Sequence, residues 1–351
     1  MIARASIPLI SPAEVLDAGF DEIIDVRSPH EFAQDRLPGA LNLPVLEDHE
    51  RITVGTLYER DTFAAKVLGA QWVAAHISRH LRDHFATRER SYRPLLYCWR
   101  GGQRSGSLGL VLREIGWKPT LLQGGYQAFR GHVRTDLAHL CQTAPFHVIT
   151  GLTGVGKTRL LQWLRSQGEN VLDLEALAHH RGSLLGGHPT GVQPAQKLFE
   201  SSLWHALRQC APGRPIYVES ESKRTGNLFC PLPLWEAMTR APVTLLEAPL
   251  QARTAHLAEE YAHYCTDPQP LLDRLPTLIG PHSRAQVDAW SMQIRQQQWL
   301  PFLASILTHH YDVSYGKCSH FATPSRTVKI ADISAEAFAR AWPRPQAALV
   351  E

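Results

Sequence analysis

The sequence predicts an α/β protein with two domains, each built on a parallel sheet covered by helices, and a helical C-terminal part. Short apolar runs alternate with segments of helical periodicity along most of the 351 residues, a pattern typical of parallel sheets. Two glycine-bearing loops, at 98–105 and 151–158, each follow a strand-like run and precede a helical pattern. A polar break at 142–145 separates the two series. We therefore expect one domain over 1–141 and a second over 145–351.

The composition is that of a soluble globular protein, which we expect in the cytoplasm. Apolar residues make up 44% of the chain and charged residues 20%, and the net charge is only +3. No apolar stretch approaches the roughly 18–20 residues needed to cross a bilayer, and no apolar core follows the charge near the N-terminus. The six cysteines are scattered without a C-x-x-C pair, which favours reduced thiols over a structural zinc site.

The elements of the first domain follow from local periodicity. Strands are predicted at 22–28, 95–97 and 120–122, a turn at 37–44 leads into another short strand, and helices are predicted at 64–85, 105–115 and 126–140. The longest helix rests on apolar residues that recur at steps of three and four from Val67 to Phe85. His76, His80 and His84 share this spacing, but they flank the apolar stripe, so no metal site is expected there.

The second series has the same alternation and ends in long helices. Strands are predicted at 146–150, 171–174, 215–218 and 243–246, and helices at 159–167, 250–265 and 284–310. The connection at 179–194 is rich in glycine, proline and histidine, and it is too polar for a core element. It is either a mobile active-site loop or an exposed connector.

The strongest single motif is GLTGVGKT at 151–158, which satisfies the pattern G-x-x-x-x-G-K-[ST] between a predicted strand and a predicted helix. Its glycines allow backbone N–H groups to wrap a diphosphate, Lys157 supplies a positive charge, and Thr158 is able to ligate Mg²⁺. The predicted binding residues of this loop are Gly151, Thr153, Gly154, Gly156, Lys157 and Thr158. The motif predicts diphosphate binding.

Hydrolysis of a nucleotide is a separate question, because it also requires an acid at the end of a neighbouring strand to hold Mg²⁺. The usual aspartate after four aliphatic residues is absent from this chain. Glu219, which ends a strand within YVESES at 217–222, is the better candidate for that acid, and Asp173 is the other. The sequence leaves hydrolysis open.

The first glycine-bearing loop is CWRGGQRS at 98–105, where one thiol stands at the end of a strand and ahead of a helix. The N–H groups around Gly101 and Gly102 and the following helix N-terminus favour an anion there, and so favour the thiolate of Cys98. Three interpretations are open: a cysteine phosphatase, a rhodanese that carries a persulfide, and a buried structural cysteine. Phosphatases of this type usually have histidine before the cysteine, where this chain has Tyr97.

Motifs on either side of Cys98 favour the rhodanese interpretation. DVRSPHEF at 25–32, LPGALNLP at 37–44 and QGGY at 123–126 occur in the order found in the rhodanese homology domain, which this part of the chain resembles. A rhodanese-like domain followed by a P-loop, together with VESES at 218–222, resembles the tRNA 2-selenouridine synthases over essentially the whole chain.

The resemblance implies a two-step reaction at the wobble uridine of certain tRNAs. The family is understood to replace the sulfur of 2-thiouridine by selenium from selenophosphate, through an S-geranylated intermediate made from geranyl diphosphate. The P-loop would then hold the diphosphate of the prenyl donor. Cys98 would carry selenium as a perselenide, with Arg100 and Arg104 as partners of the incoming phosphate or the chalcogen anion. Of the two, Arg104 is expected to close the loop and Arg100 to have the more exposed role.

Two further surfaces are implied by the same resemblance. The prenyl tail needs an apolar groove near Lys157, for which the sequence offers the aromatic residues Trp163, Phe199, Trp204, Trp235 and Trp290. The tRNA needs cationic contacts for its phosphates, and we expect them among the arginines of 79–93 and in the loop 179–188.

Two other classes of function compete with this interpretation. One is a rhodanese-type sulfurtransferase fused to an ATP-dependent kinase or activating domain, which would require ATP for turnover. The other is a non-catalytic binding module, for which removal of the Cys98 thiol would have no chemical consequence.

Overall fold

The computed structural model describes residues 6–180, 192–220, 222–315 and 321–342. Contacts divide the chain into two compact units, the first made of Met1–His139 with Pro194–His205 and the second of Leu140–Gln193 with Ala206–Glu351. Residues 194–205 thus pack with the first unit, although the sequence predicts that 145–351 form the second domain. Their assignment depends on long-range packing, which leaves no local signal in the sequence.

The first unit is built on a parallel sheet, in agreement with the predicted α/β class. Its strands are Leu9–Ile10 (β1), Glu22–Asp25 (β2), Leu41–Asn42 (β3), Pro94–Tyr97 (β4) and Thr120–Leu122 (β5). They are ordered β1-β5-β4-β2-β3, and every neighbouring pair is parallel. The central strand β4 is buried along its whole length, as expected of an apolar run with a helix layer on each side.

Helices cover this sheet at the predicted places, with two additions. They are Pro29–Gln34 (α1), Asp48–Arg60 (α2), Thr62–His80 (α3), Gln103–Ile115 (α4) and Gly125–Thr143 (α5), and α3 continues into a π-helical turn at Leu81–Phe85. Neither α1 nor α2 is predicted from the sequence, because α1 spans only 6 residues and the residues of α2 show little amphipathic contrast. Helix α2 is instead held by a polar contact, since the Glu50 carboxylate accepts from the Glu47 N–H at 2.7 Å and lies 2.7 Å from His76 Nε2.

The segment 194–205 packs on the first unit through one large side chain. Trp204 is fully buried, its ring meets that of Phe129 at a centroid distance of 5.5 Å, and its indole N–H donates to Asp136 at 2.8 Å. Arg130 also forms an ion pair with Glu200 in this segment. The contact thus combines apolar burial with satisfied polar groups.

The second unit contains another parallel sheet. The strands described there are Phe146–Thr150 (β6), Asn170–Leu172 (β7), Ile216–Glu219 (β8), Arg224–Thr225 (β9), Leu228–Phe229 (β10), Val243–Glu247 (β11) and Arg326–Lys329 (β12). The main sheet is ordered β12-β11-β6-β8-β7 and is parallel throughout, whereas β9 and β10 form a small antiparallel hairpin. The edge strand β12 is too short and too exposed to show a periodicity, so the sequence did not predict it.

Helices of the second unit confirm the helical C-terminal part, but they are shorter than predicted. The helices after α5 begin with Lys157–Ser166 (α6), Leu174–Ala178 (α7), Gln196–Arg208 (α8) and Leu232–Arg240 (α9), and most of α8 belongs to the first unit. They continue with Leu250–Glu260 (α10), Ala262–Thr266 (α11), Gln269–Arg274 (α12), Arg284–Arg295 (α13), Trp299–Ile306 (α14), Asp312–Tyr315 (α15) and Ala335–Ala341 (α16). The predicted helix 284–310 is interrupted where Gln297 adopts a positive φ of 57°. A shared apolar core that includes Leu257, Trp290 and Phe302 nevertheless joins the pieces.

Within the described ranges, no helix combines the length and the apolar character needed to cross a membrane.

Replacement of Trp204 by alanine should destabilise the protein by about 3–5 kcal/mol, because it removes a fully buried aromatic ring and leaves a cavity. The free energy of unfolding is to be measured by urea denaturation followed by near-UV circular dichroism. Lys197→Ala, at an exposed position on the same helix, is the control and should change the free energy of unfolding by less than about 0.5 kcal/mol. An equally small effect of Trp204→Ala would show that 194–205 does not pack on the first unit.

Candidate functional site

The Cys98 thiol lies immediately after β4, where the chain turns into the N-terminus of α4. Its sulfur accepts hydrogen bonds from the Gly102 N–H at 3.3 Å and from the Ser105 hydroxyl at 3.2 Å. Only 3% of the residue is exposed. The sequence therefore predicted correctly that this thiol sits at a strand-to-helix junction among donors.

These contacts favour the thiolate. Burial by itself raises the pKa of the Cys98 thiol, but the hydrogen bonds from Ser105 and the nearby Arg104 guanidinium act in the opposite direction, and the net pKa lies below the usual value. Cys141, which is buried without such donors, shows the contrast, because burial raises the pKa of its thiol to about 12. The loop thus selects one sulfur for ionisation.

The shape of the loop depends on its close approach to the QGGY motif. The Tyr126 N–H donates to the Cys98 carbonyl at 2.8 Å, and Gly125 has a φ of 60°. A Cβ at Gly125 would lie 2.4 Å from the Cys98 carbonyl oxygen and 2.4 Å from the Gly101 nitrogen. A glycine is therefore required there, which explains why two separate motifs of the sequence act as one structural unit.

The two arginines of the loop are held differently. The Arg104 guanidinium pairs with the buried Glu31 carboxylate at 2.8 Å, and despite burial this pairing lowers the pKa of Glu31. Arg100 is exposed, and its Nε–H donates to the Gln127 side chain at 3.2 Å. Arg104 thus ties the loop to α1, whereas Arg100 remains at the surface.

The DVRS motif forms a buried ionic support beneath the thiol loop. Arg27, only 1% exposed, pairs with Asp25 at 2.6 Å and donates to the Asp35 carbonyl at 2.6 Å. Its guanidinium also lies 4.0 Å from the centre of the Tyr126 ring. Asp35 accepts from the Tyr126 hydroxyl at 2.9 Å, and burial raises the pKa of this carboxyl. The motif therefore supports the loop from behind.

The second glycine-bearing loop connects β6 to α6. Gly151, Gly154 and Gly156 have φ values of 154°, 79° and 87°, and Gly156 immediately precedes the helix. A Cβ at Gly156 would lie 2.4 Å from Ile333, so this position also excludes a side chain. The Lys157 ammonium donates to the Gly151 carbonyl at 2.9 Å, across the mouth of the loop. This is the local geometry expected of a diphosphate-binding loop.

Arg253 holds this loop from outside and was not predicted from the sequence. The side chain is only 3% exposed; its Nε–H donates to the Thr153 carbonyl at 2.9 Å, and its terminal nitrogens bind Asp312 at 2.6 and 3.0 Å. The Thr153 carbonyl and the Gly154 N–H belong to one trans peptide and therefore point in opposite directions. With the carbonyl bound to Arg253, the Gly154 N–H points away from Arg253. Arg253 lies about a hundred residues from Thr153, so no local signal links them.

The two acids proposed from the sequence lie at the N-terminus of α7, and a third acid contacts the loop. The carboxylate of Glu219 is fully buried and accepts the N–H groups of Leu174 and Glu175 at 2.6 and 3.0 Å, which caps α7. Asp173 caps the same helix through the Ala176 N–H at 2.9 Å. The acid that contacts Thr158 is Glu175, whose carboxylate accepts the hydroxyl at 3.2 Å. Thr158 and Glu175 thus form the oxygen pair suited to Mg²⁺ at this loop.

An apolar cavity of about 560 Å³ adjoins the second loop. It is lined by Leu152, Val155, Leu245, Leu246, Glu247, Ala248, Pro249, Arg253, Lys329 and Ile330. The lining contains none of the five aromatic residues proposed from the sequence for an apolar groove. Trp204 and Trp290 are fully buried core residues instead, and Trp163 packs on Phe338. The groove is aliphatic and is formed by the loop together with the ends of β11 and β12.

The basic segment expected to contact tRNA phosphates is largely ion-paired. Arg79 pairs with Glu47, Arg82 with Asp83 and Arg88 with Glu22. The two histidines of the segment 79–93 also have polar partners, namely the Pro44 carbonyl for His80 and Glu22 for His84, and His76 just before it contacts Glu50. Residues 181–188 of the other proposed contact surface lie outside the described part of the chain.

A thiolate loop on one parallel sheet and a diphosphate-type loop on another define a rhodanese-like domain joined to a P-loop domain. A family model described as a rhodanese-like domain matches residues 12–132, and one described as the tRNA 2-selenouridine synthase AAA domain matches residues 144–269.

Relatives identify the family more closely. The chain is similar to proteins named tRNA 2-selenouridine synthase from Nitrosomonas europaea (37% identical, over 68% of this chain and 63% of that protein), Shewanella loihica (37%, over 73% and 68%) and Aeromonas salmonicida (32%, over 84% and 86%). It belongs to the tRNA 2-selenouridine synthase family. The match to the Nitrosomonas protein spans less than two thirds of that protein's length.

Ser105→Ala should shift the alkylation of Cys98 to higher pH. The variant loses a hydrogen bond that stabilises the thiolate, so the pKa of Cys98 rises and less thiolate is present at any given pH. The measurement is the pH dependence of iodoacetamide labelling of the Cys98 peptide, read by mass spectrometry. Ser107→Ala, whose hydroxyl donates to the Gln103 carbonyl on the same helix, is the matched control and should leave the profile in place. Coincident profiles for both variants would contradict this account of the thiol.

Proposed function

We propose that this chain converts 2-thiouridine at the wobble position of tRNA to 2-selenouridine through an S-geranylated intermediate. Geranyl diphosphate and selenophosphate are the co-substrates. One combination of features carries the proposal: a thiolate loop and a diphosphate loop occur in one chain, and an apolar cavity adjoins the second. Family membership supports the same conclusion, since the relatives bear the name of that activity.

The first step is alkylation of the thiocarbonyl sulfur. The sulfur attacks C1 of the geranyl group, the C–O bond to the diphosphate breaks, and the uridine loses the proton of its N3. Charge builds up on the departing diphosphate, where the N–H groups of the loop and Lys157 stabilise it. If Mg²⁺ accompanies the diphosphate, Thr158 and Glu175 are the residues that would hold it, and the ion would offset further negative charge.

The aliphatic cavity beside the loop suits the prenyl chain of the donor. Leu152 and Val155 belong to the loop itself, and Leu246 and Ala248 continue the lining at the end of β11. A diphosphate in the loop would therefore have its hydrocarbon tail next to apolar surface, where burial of each CH₂ contributes about 0.8 kcal/mol. A nucleotide would instead present a polar ribose to this surface.

The second step replaces the geranylated sulfur by selenium. Selenium of selenophosphate attacks a mixed disulfide between Cys98 and a solution thiol, the thiolate leaves, and hydrolysis of the Se–P bond releases phosphate and leaves the perselenide on Cys98. The selenium then attacks C2 of the pyrimidine and geranylthiolate leaves, whereas the sulfur of an unmodified thiocarbonyl is a poor leaving group. Selenium now bridges C2 and the Cys98 sulfur, and a solution thiol attacks that sulfur, which releases 2-selenouridine and re-forms the mixed disulfide. The donors around Cys98 are the groups suited to hold the charge of such an adduct.

Two substitutions should separate the steps. Lys157→Ala should slow geranylation about 100-fold or more, because it removes the charge that faces the leaving diphosphate, yet it should leave selenation of an already geranylated RNA intact. Cys98→Ser should stop at the geranylated nucleoside. The nucleosides are to be identified by mass spectrometry after incubation with both co-substrates and a thiol reductant.

The controls are Lys223→Ala and Cys265→Ser, which change an exposed ammonium and an exposed thiol elsewhere in the chain. Loss of geranylation in a folded Cys98→Ser variant would refute the division of labour. A requirement for ATP in turnover would instead favour a sulfurtransferase fused to a nucleotide-dependent domain.

Ala248→Leu should raise the KM for geranyl diphosphate about tenfold, because the larger side chain fills part of the apolar cavity. The shorter donor dimethylallyl diphosphate, which has the same diphosphate and less hydrocarbon, should be affected far less. The KM values for both donors are measured by release of diphosphate. Leu250→Ala, at an exposed residue outside the lining, is the control. Equal effects on the two donors would place the prenyl chain elsewhere.

A further inference from the structure

A second cavity lies beside the Cys98 loop, and no step of the proposed reaction has been assigned to it so far. Its volume is about 510 Å³. It is lined by Arg27, Ser28, His30, Glu31, Gln34, Asp48, Arg51, Ile52, Trp99, Tyr126 and Lys197. All of these residues belong to the first unit.

Two lining residues of the cavity connect it to the thiolate loop. Trp99 directly follows Cys98 in the chain, and Glu31 holds Arg104, whose charge lowers the pKa of Cys98. A molecule in this space therefore lies next to the thiolate loop. The volume falls in the range of pockets for organic ligands and is much larger than a chalcogen donor of a few atoms requires.

The aromatic wall of the cavity is held rigidly. The Trp99 ring is half-buried and lies 5.2 Å from the Tyr126 ring, with an angle of 39° between the planes. Tyr126 is itself fixed by its hydrogen bond to Asp35 and by the Arg27 guanidinium 4.0 Å from its ring. A preordered aromatic face is what proteins use to stack an unpaired nucleobase, because stacking costs little side-chain entropy when the ring is already fixed.

The charges at the rim favour a polyanion. Arg51 and Lys197 are exposed there, and His30 adds a third basic group. The two acids of the lining are engaged within the protein, since Glu31 pairs with Arg104 at 2.8 Å and with Arg51 at 3.3 Å, and Asp48 accepts the His30 N–H at 2.9 Å. Glu31 offsets only one of the two arginine charges, so together with Lys197 the rim presents net positive charge to a chain that leads into the cavity.

We propose that this cavity binds the extruded target nucleoside of the RNA, with Trp99 stacked on the base and with Arg51 and Lys197 in contact with flanking phosphates. The inference rests on the proposed function, because it identifies where the RNA substrate of that reaction meets Cys98. An isolated base in the cavity presents its C2 region beside the thiolate loop, whereas a base stacked within an RNA helix remains out of reach of a sulfur that is only 3% exposed.

The test uses the full-length protein and an RNA hairpin that carries S-geranyl-2-thiouridine in its loop. Trp99→Leu should raise the KM for this RNA roughly 5- to 100-fold, which is the range expected for loss of one base–aromatic contact. Trp99→Phe retains an aromatic face and should recover most of the affinity. The KM for selenophosphate, measured in the same assay, separates a defect in RNA binding from a defect in the thiolate loop.

The phosphate contacts are tested by salt dependence. Arg51→Gln and Lys197→Gln should each lower the slope of log affinity against log salt by about 0.7, the value for one single-strand phosphate contact. Arg60→Gln removes an exposed charge from the same helix as Arg51 but outside the cavity, and it should leave the slope unchanged. Circular dichroism verifies that each variant is folded.

The outcomes distinguish this inference from the proposed function. Failure of the unsubstituted protein to form 2-selenouridine would refute the proposed function. Normal conversion by Trp99→Leu with an unchanged KM for RNA would refute the inference alone. A rise in the KM for selenophosphate without one for RNA would also overturn it, because the cavity would then bind the chalcogen donor.

Discussion

The main physical constraint on this structure is that the loops after β4 and β6, at the C-terminal ends of two parallel strands, have to stabilise negative charge away from bulk water. A buried anion is costly unless hydrogen-bond donors replace its hydration shell. Both loops meet this requirement in the same way, with a glycine directly before a helix: Gly102 before α4 and Gly156 before α6. At these positions the free N–H groups of the helix N-terminus and the N–H groups of the loop converge on one point. The strand–loop–helix fold supplies the N–H donors, and the glycines allow the backbone conformation in which these donors converge.

The loops keep their shape through contacts from behind, and these contacts differ. The Cys98 loop is held by backbone hydrogen bonds from the QGGY motif, and Gly125 approaches too closely to admit any side chain. The second loop is held by an ionic contact, in which the buried Arg253 bridges the Thr153 carbonyl and the partly exposed Asp312. A buried guanidinium is costly unless its charge is paired and its N–H groups are hydrogen-bonded. The diphosphate loop therefore depends on residues far away in the chain.

The sequence predicts the parts of this architecture that are local in the chain. The strand–loop–helix junctions around Cys98 and Lys157 combine apolar runs, glycines and a helical pattern within a few residues, and the structure has them where predicted. Contacts between distant segments have no such signature. Glu175 beside Thr158 and Arg253 beside Thr153 arise only when separate helices pack on one loop. The aromatic residues proposed for the groove illustrate the same limit, since composition does not tell a core tryptophan such as Trp290 from a lining one.

The Cys98 loop has to ionise its own thiol, whereas the second loop would bind a ligand that is already charged. This difference explains why their surroundings differ. A thiol has to be ionised by its site, so Cys98 is enclosed, and its donors act on its pKa. In the proposed reaction a diphosphate reaches the second loop already charged, so this loop would need no such enclosure, and it opens onto an apolar cavity. Catalysis of that reaction would require donors that bind the leaving diphosphate more strongly as its charge increases. The Lys157 ammonium, which donates to the Gly151 carbonyl of the same loop, lies at the mouth where that charge would appear.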